Sequence, residues 1–313
     1  MAGRSHLRNR LEHGAARAVR AGLRPLPMSA ARAGGRALGR VAWFADRQHR
    51  AIALDNLSHA FPSRSDRERR AMAREMFRHF GAFAVELLKF STLSDDQALR
   101  LADIEGEQFL HQAYAQGRGV LLVTGHFGYW EMQSVVLGLR TPRPMSVLAR
   151  PLDNPYLHAM LERIRTRSGT SVIYRQGAVR KILRELGANR GVAILIDQHL
   201  HSDAVMVDFF GRPAATTTAV AALALRTRAA VIPAFSLPLP GGRYRFVYER
   251  PVPPPEGDTP DAVRLFTQRC TDVLEMWVRR YPHLWLWMHR RWRMPSGTGV
   301  AVVAARAAGE PAE

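Results

Sequence analysis

A histidine and a carboxylate stand five residues apart in Gly125-His126-Phe127-Gly128-Tyr129-Trp130-Glu131, directly after an apolar run ending at Thr124. An imidazole changes charge near neutral pH, and a carboxylate that fixes its tautomer makes it an oriented general base. On one continuous helix the two side chains would stand about 140° apart and could not meet. The spacing therefore predicts a strand-to-helix loop, with His126 on the loop, a tight turn at Gly128 and Glu131 in the first helical turn. From there the carboxylate can reach back to the imidazole. The same pair can equally be a structural tie, and spacing alone does not choose between them.

Two further strand ends carry polar groups. Arg150 follows the run through Ala149, and Arg163, Arg165 and Arg167 lie on the helix after Asn154-Pro155. Such arginines either lie in solvent or clamp a phosphate through paired N–H donors. Asp197-Gln198-His199 closes the run Val192 to Ile196, where an aspartate is either a site residue or the cap of a turn. His126, Asp197, His199 and His201 do not have the spacing of a metal site, so no metal or cofactor is expected. Neither a GxSxG elbow nor a phosphate-binding GxxxxGK[ST] loop occurs.

These groups need a scaffold that brings strand ends together. Strands are expected at Val120 to Thr124, Met145 to Ala149, Ser171 to Tyr174, Val192 to Ile196 and Ala230 to Phe235, with helices near 129–139, 155–168, 177–187 and 214–227. The alternation predicts an α/β fold, a largely parallel sheet flanked by helices, whose ligands gather at the carboxyl ends of the strands. Tyr244 to Glu249 is expected as an edge hairpin partner, followed by a helix from Asp261 to about Tyr281. Ahead of the sheet, helices are expected after Ser63 or Ser65, after Ser94, and over Glu107 to Ala115. The division expected is a basic amphipathic leader (1–50), a helical region (51–105), the α/β domain (106–295) and a disordered tail (296–313).

The net charge is +18, and half of it lies in residues 1–50, where eleven arginines face only Glu12 and Asp46. Such a balance calls for an anionic partner: nucleic acid, an anionic membrane surface or a phosphorylated substrate. No nucleic-acid motif accompanies it, so a nucleic-acid module is the remote reading. The leader interleaves Leu38, Val41, Trp43 and Phe44 with arginines and is broken near Pro25 and Pro27. It reads either as a membrane-surface helix or as a solvated arm. Cys270 is the only cysteine, which excludes an internal disulfide and a cysteine-based zinc site.

The segment His126 to Glu131 resembles the H-x4-E motif of the bacterial lipid A biosynthesis acyltransferases, which are similar to glycerol-3-phosphate acyltransferase-like enzymes. Asn56-Leu57, Ala60-Phe61-Pro62, Ala149-Arg150-Pro151, Asn154-Pro155, Asp197-Gln198, Phe209 to Ala214 and Trp285-Leu286-Trp287 resemble further landmarks in the family's order. The resemblance implies transfer of a fatty acyl chain from acyl carrier protein or coenzyme A to a hydroxyl of an anionic glycolipid. The expected place is the cytoplasmic face of the inner membrane, and the arginine-rich leader, unlike the apolar anchor helix at the start of many relatives, favours peripheral binding to anionic lipid. The resemblance also implies His126 as base, Glu131 as its partner, and Arg150, Arg163, Arg165 and Asp197 as substrate-binding residues. A lysophospholipid or a mannosylated phosphoinositide is the alternative acceptor. His199 and His201 depart from the family's usual continuation after Asp197-Gln198.

Overall fold

The computed structural model describes residues 5–141, 143–198, 204–256 and 260–293; His199, His201 and the tail from 296 lie outside them. Proline cannot continue a helix, and the Pro25 to Pro27 break separates α1 (His6–Leu23) from α2 (Met28–Ala45). Next come α3 (Arg47–Ala60), α4 (Asp66–Phe90) and α5 (Asp95–Arg100). Ser65 and Ser94 each start a helix with a capping box, closed by Glu68 and Gln97 respectively. Helix α2 lies directly against α4. A Cβ at Gly39 would come within 2.1 Å of the Phe77 carbonyl oxygen, so the two backbones touch, with Ala31 and Trp43 buried alongside.

The seven-stranded sheet has the order β1-β9-β8-β2-β5-β3-β4. Its strands are β1 (Ala102–Glu105), β2 (Val120–Thr124), β3 (Met145–Ala149), β4 (Ser171–Tyr174), β5 (Gly191–Leu195), β8 (Ala230–Pro238) and β9 (Tyr244–Tyr248). Neighbours are parallel except β8 and β9. Strand β2 is fully buried, as expected for a central strand covered on both faces. The helices α6 (Glu107–Ala115), α7 (Trp130–Arg140), α8 (Pro155–Thr166), α9 (Ala178–Gly187), α10 (Ala219–Thr227) and α11 (Ala262–Arg280) complete the described fold.

Two expectations need correction. Residues 214–217 are not helical: β6 (Ala204–Phe209) and β7 (Arg212–Thr217) form a separate antiparallel hairpin, and the helix begins only at Ala219. Its two-residue turn, Phe210-Gly211, has both residues at positive φ, the geometry usually flagged by Asn-Gly. Phe210 tolerates it because its N–H donates to Glu275 and its ring packs on Phe61 and Trp287. In addition, β9 is not an edge strand. The short, charged strand β1 pairs parallel beyond it, and Asp103 and Glu105 hid that strand from an apolar pattern search.

Candidate active site

Strands β2 and β5 are neighbours in register, with Thr124 opposite Leu195, so the residues just past their carboxyl ends meet. The crossover from β2 leads to β3 on the far side of β5, which makes this a switch point where a crevice opens. His126 sits on the loop from β2, and Asp197 two residues past β5. The His126 Nδ1 lies 2.8 Å from Asp197 Oδ1, and the His126 backbone N–H donates to Oδ2 at 2.6 Å. Trp285 Nε1–H also donates to Oδ2, at 2.8 Å. An ionised carboxylate only accepts, so Nδ1 carries the proton and Nε2 keeps its lone pair. The His126 side chain retains 18% exposure and Asp197 none, so the imidazole is the member of the pair that can meet a substrate.

Burial alone would raise the Asp197 pKa, but the charge and hydrogen bond of His126 outweigh it and hold the carboxyl well below its usual range. For His126, burial favours the neutral ring, yet the charge and hydrogen bond of Asp197, aided by Glu131, push its pKa above 6.5 against Arg165. The result is a strengthened base. Gln198 Nε2 lies 3.3 Å from His126 Nε2.

Glu131 does not tie to the imidazole as the spacing suggested. It lies in the first turn of α7, and both its oxygens accept from Arg165 on α8, with Nε at 2.8 Å. Trp130 Nε1–H donates to it as well, at 3.2 Å. Sequence spacing could show that Glu131 was within reach, but not that an aspartate 71 residues away reaches the ring first. His126, Glu131, Arg165 and Asp197 therefore gather in one place. Arg150 and Arg163 do not join them. Arg150 is exposed beside Asp153, at 3.3 Å, and Arg163 is exposed on α8.

The loop around His126 is held from several sides. A Cβ at Gly128, whose φ is +59°, would come within 1.9 Å of the Ser236 carbonyl oxygen, so only glycine fits. The Gly128 N–H donates to Leu284 O, and Leu286 N–H donates to His126 O. His79 on α4 is buried, which lowers its pKa to about 3 and keeps it neutral; its Nε2–H donates to the Gly128 carbonyl at 3.2 Å. His289 bonds the Asp197 carbonyl at 2.9 Å. Asn56 Nδ2 donates to the carbonyls of Trp287 and His289, and Asn154 caps α8. Several landmarks read from the sequence thus build the loop and its support. On the open side, Trp130 meets the His126 ring edge-on at 5.2 Å and stacks on Phe83 at 4.3 Å, forming an apolar wall beside the base. His79, Trp285 and His289 were not singled out from the sequence as site residues. Only the Trp285-Leu286-Trp287 landmark pointed toward them.

A family model described as bacterial lipid A biosynthesis acyltransferase matches residues 5–294. The lipid A biosynthesis lauroyltransferase of Escherichia coli K12 is 28% identical over 262 residues, 83% of this chain and 84% of that protein. The lipid A biosynthesis palmitoleoyltransferase of the same strain is 29% identical over 250 residues, 79% of each chain. The phosphatidylinositol mannoside acyltransferase of Mycolicibacterium smegmatis is 29% identical over 195 residues, 61% of this chain and 62% of that one.

Proposed function

The chain belongs to the bacterial lipid A biosynthesis acyltransferase family and is an acyl-transferring enzyme, and from that premise we propose that His126 is the general base that drives transfer of a fatty acyl chain from a thioester to a lipid A precursor hydroxyl. The observation that carries this reading is the His126–Asp197 pair, which leaves Nε2 basic and accessible. A lipid hydroxyl is a weak nucleophile at neutral pH. Nε2 takes its proton as the oxygen attacks the thioester carbonyl, an effect worth about 10² to 10⁴ in rate. The tetrahedral intermediate then collapses with cleavage of the C–S bond, and the imidazolium returns its proton to the departing thiolate. Asp197 holds the tautomer and stabilises the imidazolium that forms in between.

Arg165 is fixed by Glu131 through Nε and Nη2, and we assign its remaining donors to the acceptor's phosphate or to the developing oxyanion. The donor we propose is an acyl carrier protein. What supports an anionic thioester carrier is the exposed basic face at the start of α9, where Arg175, Arg180, Lys181 and Arg184 line an open groove beyond the carboxyl end of β4 that suits the phosphates of coenzyme A as well. That is the same sheet edge as His126, and an acidic protein surface complements it. The mycobacterial relative supports a mannosylated phosphoinositide as the second acceptor reading.

The location proposed is peripheral, at the cytoplasmic face of the inner membrane. No helix among the described residues is long and apolar enough to cross a bilayer. Instead α1 and α2 expose Leu7, Leu11, Leu38, Val41 and Phe44 among arginines, a pattern suited to an anionic interface. The deciding experiment incubates purified protein with acyl carrier protein and coenzyme A thioesters plus a panel of lipid acceptors, with products identified by mass spectrometry. Acylation of a lipid A precursor by the carrier-protein thioester is the expected result. Acylation of the phosphoinositide mannoside alone would move the acceptor, and no acylation of any lipid would overturn the reading.

A further inference from the structure

Helix α2 carries three different faces. At about 100° per residue, Gly35, Gly39 and Trp43 share the side against α4, Arg36 and Arg40 an adjoining side, and Leu38, Val41 and Phe44 the side beyond. The last three are 54%, 63% and 69% exposed, a large apolar ridge for a protein surface. Beside that ridge, between α2 and α4, lies a cavity of about 430 Å³ lined by Arg40, Trp43, Phe44, Arg74, Glu75 and Arg78.

The charges in this cavity do not cancel. Glu75 is already matched, with one oxygen accepting from Arg36 at 2.8 Å and the other from Arg78 at 2.5 Å. Arg40 and Arg74 make no ion pair with a described residue, and the buried Nε of Arg78 has no hydrogen-bond partner. Arg74 is held in place without neutralisation, its guanidinium 5.6 Å from the centre of the Trp43 ring, while Arg50 approaches the same ring at 5.4 Å. Planar guanidinium groups with open N–H donors match phosphate oxygens. Phe44 belongs to both the cavity wall and the exposed ridge.

We propose that this cavity is a headgroup site for an anionic phospholipid of the bilayer, with Arg40, Arg74 and Arg78 around the phosphate while Leu38, Val41 and Phe44 enter the acyl layer. The site is separate from the His126 crevice and binds a lipid that is not turned over. It rests on the membrane location proposed above and deepens it, because it names where the protein holds the surface. A diffuse attraction between a basic chain and an anionic membrane would depend only on how many arginines remain; a site depends on which ones.

The test compares full-length Arg40→Gln/Arg74→Gln with Arg226→Gln/Arg250→Gln, which removes the same charge from other exposed positions, on α10 and just past β9. Sedimentation is measured with phosphatidylcholine vesicles, with and without phosphatidylglycerol, and far-ultraviolet circular dichroism confirms folding. Each cation near an anionic surface is worth about fivefold in partitioning, so the first pair should bind phosphatidylglycerol vesicles roughly thirtyfold less tightly. The second pair should change by no more than about twofold. Phe44→Ser alone should also weaken binding to these vesicles, since it removes the apolar ridge and leaves the charge. Equal losses for the two pairs, or none for the first, would overturn the site while leaving membrane binding intact. Failure of the wild-type protein to sediment with phosphatidylglycerol vesicles would overturn the membrane location itself.

Discussion

Two buried arginine–glutamate pairs flank the tripeptide Tyr129-Trp130-Glu131, and they are built to opposite ends. In the first, Arg32 on α2 meets both oxygens of Glu86 on α4, and the hydroxyls of Tyr129 and Tyr244 donate to the same carboxylate at 2.8 and 2.6 Å. The remaining Arg32 donors reach the carbonyls of Leu239 and Arg243. Glu86 has no exposed surface. The carboxylate is matched on both oxygens and four of the five Arg32 N–H groups are used, and the cluster ties the N-terminal helices to the loop after β2 and to β9. In the second, Arg165 meets both oxygens of Glu131 beside His126, at the open end of the sheet, and retains donors beyond the pair. A nearly saturated buried pair fixes architecture, whereas one with donors to spare is equipped to meet a ligand.

The sharpest way to establish which cluster does the chemistry is to remove the base. His126→Ala should lower acyl transfer by roughly 10³-fold, within the range expected for a lost general base, while the thermal midpoint stays close to wild type. Turnover within about tenfold of wild type would break the assignment. Asp197→Asn should come close behind. Asp197 Oδ2 accepts two N–H groups, from His126 and Trp285. The amide oxygen must therefore take that position and the NH₂ must face Nδ1, which forces the proton onto Nε2 and removes the base.

The same pair sets a pH dependence. As the proposed base, His126 works only when neutral, and Asp197 outweighs burial to raise its pKa above the ordinary imidazole value. The acid limb of kcat/KM should therefore fall above pH 6.5, with activity lost as pH drops through it. In Asp197→Asn, whatever activity remains should have its acid limb shifted downward, since the stabilising charge is gone. An unchanged limb would separate His126 from the observed titration.

Exchanging the two glutamates for glutamine tests the comparison itself. Glu86→Gln leaves Arg32 buried against a neutral amide, a break that typically costs about 3–5 kcal/mol, so the melting temperature should fall by roughly 5–10 °C. The fraction that stays folded should turn over nearly as wild type. Glu131→Gln should do the reverse, moving the melting temperature little and lowering turnover about tenfold or more as Arg165 loses its clamp. Equal effects on both readouts would erase the distinction between a structural and a functional pair.

The periodicity of the chain was enough to place β2, β3 and β4 and the helices between them, because those strands are short apolar runs bounded by turns. Local chemistry located the cap at Ser94 and narrowed the other to Ser63 or Ser65, of which Ser65 is the one used. The partners in space could not be read the same way. Glu131 is close to His126 in sequence and Asp197 is distant, yet the adjacency of β2 and β5 gives the ring to Asp197 and leaves Glu131 for Arg165. Arg32, embedded in an arginine-rich segment, carries no mark distinguishing it from the exposed arginines around it; only the packing of α2 on α4 buries it. The hairpin of β6 and β7 escaped notice because a phenylalanine occupies a position usually left to asparagine.

The smallest effect belongs to arginines that have charge without position. Arg150 and Arg163 lie on or next to the elements that carry the site, and on charge alone either rivals Arg165. Arg150 keeps 70% of its side chain exposed, and its one carboxylate contact, Asp153 at 3.3 Å, is itself 66% exposed. Pairs of that kind are screened by solvent and salt and contribute little. Arg163 is exposed on α8 two residues before Arg165, and two residues turn a helix by about 200°, so the two guanidinium groups leave opposite sides of it. Arg150→Gln and Arg163→Gln should therefore each leave kcat/KM within about twofold of wild type and stability within about 0.5 kcal/mol. Arg165→Gln under the same assay should lose about tenfold or more. A loss at Arg163 matching that at Arg165 would mean that acceptor phosphate is bound by the summed charge of α8, and the fixed geometry of the Arg165–Glu131 pair would then have no special part in recognition.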